Sequence, residues 1–142
     1  MSHALPLALS IVAVLLSASP VAAAEPMTLT TFAAGTGVEH RALVGARARF
    51  APDGDKVWVH ATLDNAGPAR TVTLVWALDG TEKWRITLDV GTSPRWRTWA
   101  RRTIGARDGG VWMVTALDPA GAVLGSTQFI VGADADTASA AR

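Results

Sequence analysis

Cysteine and tyrosine are both absent from this chain of 142 residues, and histidine occurs three times. Without cysteine no disulfide can staple the fold, so any stable domain here has to rest on its apolar core alone. The same absence removes thiolate nucleophiles and thiolate metal sites. Serine is sparse beyond the N-terminal region, at Ser93, Ser126 and Ser139, and none lies in a Gly-x-Ser-x-Gly elbow. His40 and His60 show no helical or finger spacing to other ligands, and Asp53-Gly54-Asp55 lacks the distal glutamate of a calcium loop. That turn is read as a hairpin and His60 as a surface residue. Neither a cofactor nor a catalytic residue is assigned, and the protein is expected not to be an enzyme.

Long apolar runs are missing except at the N-terminus. Residues 1–24 read as a secretory signal peptide: an apolar stretch from Ala4 to Leu16, then small residues through Val21-Ala22-Ala23-Ala24, with cleavage before Glu25. About 13 apolar residues fall short of a membrane span. The protein is therefore expected in the periplasm or secreted, not membrane-spanning after cleavage, with residues 25–131 as one β domain and 132–142 as a disordered tail.

What the mature region does have is alternation with period two, broken by turn residues. Strands are expected at Thr28–Ala33, Ala46–Phe50, Val57–Asp64, Thr71–Asp79, Trp84–Val90, Arg95–Arg101, Val111–Asp118 and Ala122–Val131. Gly35-Thr36-Gly37 reads as a break, and Asp79-Gly80 as a hairpin turn. Seven or eight short strands with no sustained helical period predict an antiparallel, immunoglobulin-like β-sandwich, all-β throughout. Trp76, Trp84 and Trp96 are expected in its core.

Charge is nearly balanced at +1 but unevenly placed. Lys83 to Arg107 holds seven basic residues against Asp89. The densest part, Arg95-Trp96-Arg97-Thr98-Trp99-Ala100-Arg101-Arg102, puts four arginines and two tryptophans in eight residues. With Trp96 inward, Arg95, Arg97, Trp99 and Arg101 share the outer face, and Trp58 is likewise out of phase with its aliphatic neighbours. Guanidinium groups beside indoles suit a carboxylate, a phosphate or the face of a sugar ring. These five residues are the candidate binding surface for an anionic envelope glycan, a lipid head group or an acidic protein. The competing use is cross-strand packing of arginine stems on tryptophan faces. Nucleic acid is excluded as a partner by the export signal.

Several motifs resemble one bacterial family. Gly37-Val38-Glu39-His40-Arg41-Ala42-Leu43-Val44-Gly45 is similar to a Gly-Val-x-x-Arg-x-Pro-Val-Gly motif, with Leu43 in the place of proline. Trp76 (without the usual preceding histidine), Trp96-Arg97-Thr98-Trp99, Gly110-Val111-Trp112-Met113-Val114 and Asp118-Pro119-Ala120-Gly121-Ala122-Val123-Leu124 follow. Together they resemble the family known as domain of unknown function 2914, over roughly residues 27–131. The resemblance implies an exported or membrane-attached all-β domain and no established activity.

The reading that remains is a non-catalytic binding module of the cell envelope. A glycan-directed hydrolase using paired carboxylates and a purely structural spacer are the alternatives. The exported product should begin at Glu25. Intact-mass measurement on protein from a periplasmic extract checks this, and recovery solely as a membrane-embedded full-length chain would reject it.

Overall fold

The computed structural model describes residues Glu25–Gly132, and they contain no helix. The expected signal peptide and the expected tail from residue 133 onward lie outside the described residues. Ten strands follow in order: β1 Met27–Gly35, β2 Gly37–Glu39, β3 Ala42–Val44, β4 Arg49–Phe50, β5 Lys56–Asn65, β6 Arg70–Leu78, β7 Thr81–Val90, β8 Ser93–Thr103, β9 Gly110–Leu117 and β10 Val123–Val131. They form a three-stranded sheet, β1-β5-β8, a five-stranded sheet, β4-β10-β9-β6-β7, and a small hairpin, β2-β3.

Alternation explains how the two large sheets pack. On β5, Val57, Val59, Ala61 and Leu63 all point inward and are essentially inaccessible. From the other sheet, Val72, Leu74 and Trp76 of β6, Trp112, Val114 and Ala116 of β9, and Phe129 and Val131 of β10 meet them. At the centre Trp112 stacks on Phe129 with centroids 5.9 Å apart. Trp76 meets Trp112 and Phe129 edge-on at 6.5 and 6.1 Å. The Trp112 Nε1–H donates to the Asp108 carbonyl at 2.8 Å, so its one polar atom is satisfied inside an apolar cluster.

Trp76 is buried as its phase predicted, whereas Trp84 and Trp96 are only partly buried. The reason is position. Trp84 sits on β7, the outermost strand of its sheet, and covers Trp76 from the side at 5.5 Å. Trp96 sits on β8, also an edge strand, beside the turn from β7, where its Nε1–H donates to the Asp89 carbonyl at 3.0 Å. The deepest tryptophan after Trp76 is Trp112, which the sequence reading left unassigned.

Further differences concern the short strands and the turns. The expected strand Ala46–Phe50 shrinks to β4, and β4 pairs with β10 in parallel, Ile130 with Arg49 and Val131 with Phe50. The pairing is therefore not wholly antiparallel. The Asp53-Gly54-Asp55 turn does not close a hairpin, because β4 and β5 belong to different sheets. It is a crossing held by Gly54 N–H to the Ile104 carbonyl and Ile104 N–H to the Asp55 carbonyl, both at 2.9 Å. At the far end, Gly132 N–H donates to the Phe50 carbonyl at 3.0 Å.

The expected break falls at Thr36, between β1 and β2, and beyond it Glu39 and Ala42 face each other across the β2-β3 hairpin, a strand pair the alternation did not assign. Its turn residues His40 and Arg41 both have positive φ, 49° and 63°. Two-residue hairpin turns of this kind ordinarily take Asn-Gly or Asp-Gly, as Asp79-Gly80 does here, so His-Arg carries no turn signal. The hairpin lies so close on β1 that a Cβ at Gly35 would stand 2.6 Å from the Val44 carbonyl oxygen.

Trp112→Ala should lower unfolding free energy by about 3–5 kcal/mol, as large-to-small changes at packed aromatic positions do. Trp84→Ala, at an edge, should cost clearly less. Urea unfolding of both variants checks this, and equal losses would place the centre of the core elsewhere.

Candidate functional site

Cross-strand register places the arginine–tryptophan stretch on the outer face of the three-stranded sheet. His60 of β5 faces Trp99 of β8, Thr62 faces Arg97, and Trp58 faces Arg101. On the opposite side, β1 contributes Ala33 beside His60 and Thr31 beside Thr62. Arg97, Trp99 and Arg101 thus share a face with Trp58 and His60, as their alternation requires.

That face is not open. The β2-β3 hairpin lies over it, touching β5 with both strands and β1 with β3. His60 is consequently 7 % exposed, not a surface histidine. Its Nε2 is 2.7 Å from the Arg41 carbonyl oxygen, and its ring is nearly parallel to Trp99 with centroids 6.0 Å apart. The ring nitrogen satisfies the hairpin tip, and the imidazole plane supports the indole.

Between the hairpin tip and β8 two adjoining grooves remain. One, of about 410 Å³, is lined by Arg41, Ser93, Arg95, Trp96, Arg97 and Trp99. The other, of about 290 Å³, runs beneath the tip and shares Arg41, Arg95 and Arg97, with Ala42, Leu43, His60 and the β1 threonine and alanine completing it. Neither lining contains a carboxylate. Asp64, two positions beyond Thr62 on β5, forms no ion pair among the described residues, and neither do Arg41, Arg95 and Arg97. Three cations line one cleft whose lining holds no carboxylate, and this favours a positive potential there.

The five candidate residues divide. Arg95, Arg97 and Trp99 line the grooves. Arg101 and Trp58 do not, for the Arg101 guanidinium lies over the Trp58 ring at 5.0 Å. That pair is the cross-strand packing use of arginine, with the indole face covered. Trp58 also borders a larger cavity, about 460 Å³, at the other end of the sheet. Its lining mixes Asp53 and Asp55 with Arg47 and Lys56, so the charges offset one another. Volume alone favours this cavity, but it offers no uncompensated charge, and the smaller grooves carry the chemistry.

Two other arginines of the basic band have structural partners. Arg102 faces inward and lies over Trp112 at 5.5 Å. Arg85 donates to Glu82, which holds the Glu82 carboxyl below its ordinary range, and the hydrogen bond to Glu82 raises Arg85. Arg41 is the site residue that sequence reasoning missed. Its nearest signal was its place in the Gly37–Gly45 motif, which gave no hint that the segment folds back over β5.

Fold and site together define an all-β protein of packed sheets with an arginine-lined groove on one sheet face. Residues 69–131 match the model of a family described as "Protein of unknown function (DUF2914)". The match bears out the resemblance over β6 to β10, which includes Arg95, Arg97 and Trp99 but not Arg41. No curated protein matches the chain.

Holding a non-glycine residue at positive φ costs on the order of 1–2 kcal/mol. Arg41→Gly should therefore leave stability unchanged or raise it by up to about 1 kcal/mol. Thermal unfolding of the variant checks this, and a marked loss would mean that the Arg41 side chain is needed to hold the hairpin.

Proposed function

We propose that this protein is an exported, non-catalytic binding module of the bacterial cell envelope, built as an immunoglobulin-like β-sandwich, and that it takes an anionic ligand. The observation that carries this reading is the groove where Arg41, Arg95 and Arg97 converge with no carboxylate in its lining. A spacer domain has no use for three unneutralised cations around one cleft, since their mutual repulsion costs stability unless a ligand offsets it. The backbone supports the same reading. His40 and Arg41 occupy the left-handed region side by side, a strain that persists where the surrounding structure fixes it and that clusters at functional sites. The apolar N-terminal leader supports export, and the periplasm or the exterior is the proposed location.

The test uses the full chain, two labelled polyanions (polyglutamate and polyphosphate) and fluorescence anisotropy over a range of salt. Guanidinium contacts at an exposed groove are screened over a Debye length of about 8 Å at physiological ionic strength. Binding should weaken with salt, and Arg41→Ala/Arg97→Ala should reduce it while Lys83→Ala does not. Equal binding by all three proteins, or none by the wild type, would reject the groove as an anion site and favour the spacer reading.

A further inference from the structure

The two grooves share Arg41, Arg95 and Arg97 and so form one trough. It crosses the strands instead of running along them, from Thr31 and Ala33 on β1, over His60 and Thr62 on β5, to Arg97 and Trp99 on β8. Neighbouring strands are about 4.8 Å apart, so its floor is about 10 Å wide. The middle strand β5 is paired on both sides, and its main-chain N–H and C=O groups are already spent in the sheet. An extended peptide laid across this floor would gain none of the ladder bonds that make strand addition favourable. Whatever binds must be held by side chains.

Those side chains have a particular composition. Trp99 stands at the β8 end, and Ala33, Ala42 and Leu43 at the β1 end. Flat aromatic and aliphatic walls suit the C–H faces of pyranose rings. Guanidinium forks match carboxylates in the plane of their two oxygens. A membrane surface fits less well. The large exposed apolar side chains Val111, Met113 and Val123 sit on β9 and β10 of the other sheet, so among the described residues no apolar collar stands beside the trough to enter a bilayer while the arginines hold head groups.

We infer that the trough beneath the β2-β3 hairpin is a subsite for an acidic oligosaccharide carrying uronate carboxylates. Arg41, Arg95 and Arg97 hold the carboxylates, and Trp99, backed by His60, bears a sugar ring. The inference rests on the anion-binding reading above and narrows it to one ligand class. Arg41 is the discriminating residue, because it reaches the trough from the hairpin and closes the side opposite β8. The His60–Arg41 carbonyl contact at 2.7 Å fixes where it starts from.

Isothermal titration of the full chain with tetragalacturonate, maltotetraose, inorganic phosphate and phosphatidylglycerol-containing vesicles tests this. Tetragalacturonate should bind, and maltotetraose about tenfold or more weaker, the loss expected when charge-assisted hydrogen bonds are removed. Arg41→Ala/Arg97→Ala should weaken tetragalacturonate by a similar factor without lowering the melting temperature of the free protein. Trp99→Ala should weaken it at high salt as well as low, and Arg41→Lys should retain part of the affinity. Equal binding of maltotetraose, or uronide binding indifferent to Arg41 and Arg97, would overturn the inference. If only phosphate or vesicles bind in an arginine-dependent way, the uronide class falls and the anion site stands. If no anionic probe binds through these arginines, both fall.

Discussion

The stacked contact between Trp112 and Phe129 is the interaction on which the rest of this protein depends. It joins β9 to β10 at the centre of the five-stranded sheet, and Trp76 from β6 closes on both rings edge-to-face. Phe50 reaches Phe129 from β4 at 5.4 Å, so four strands meet in one aromatic knot. Without a disulfide, this knot and the aliphatic stripe of β5 supply the cohesion between the two sheets. The three-stranded sheet is rigid because its inner face is seated on that cluster, and only a rigid sheet can present the outer face as a defined floor.

Strand β5 links core and site most directly. Its inward residues Val57 to Leu63 are sealed by the opposite sheet, and its outward His60 is sealed by the hairpin. A strand covered on both faces transmits position faithfully. The placement of Trp99 and Arg97 relative to Arg41 is set by register with β5 on one side and by the His60 contact on the other. The trough is therefore made by a small third layer, β2-β3, laid on the outside of a two-sheet body.

Much of this was legible in the sequence wherever period two and turn chemistry agreed. The β6–β7 hairpin, the inward set on β5 and the outward set on β8 follow from alternation and from Asp79-Gly80. What escaped has physical reasons. Alternation assigns a face but not a depth, so Trp84 and Trp96, inward on edge strands, read the same as Trp76. Trp112 was hidden because Val111 and Met113 are apolar too, and β9 shows weak contrast between its faces. The hairpin was hidden because His40-Arg41 is a strained choice for its turn. With it went the burial of His60 and the role of Arg41, both of which depend on a fold-back that no local pattern announces.

The position of β8 at the rim of its sheet has another consequence. A long rim strand with free hydrogen-bonding groups invites a second copy of the chain to continue the sheet, the usual first step of ordered aggregation. In β8 that rim carries Arg95, Arg97 and Arg101. Two copies meeting rim to rim would bring both sets of guanidinium groups together in a partly dehydrated seam, where like charges repel most strongly. Like charge along the rim raises the cost of that pairing whether or not a ligand is present. A chain that holds no cysteine to lock its edges can keep its molecules apart by charge alone.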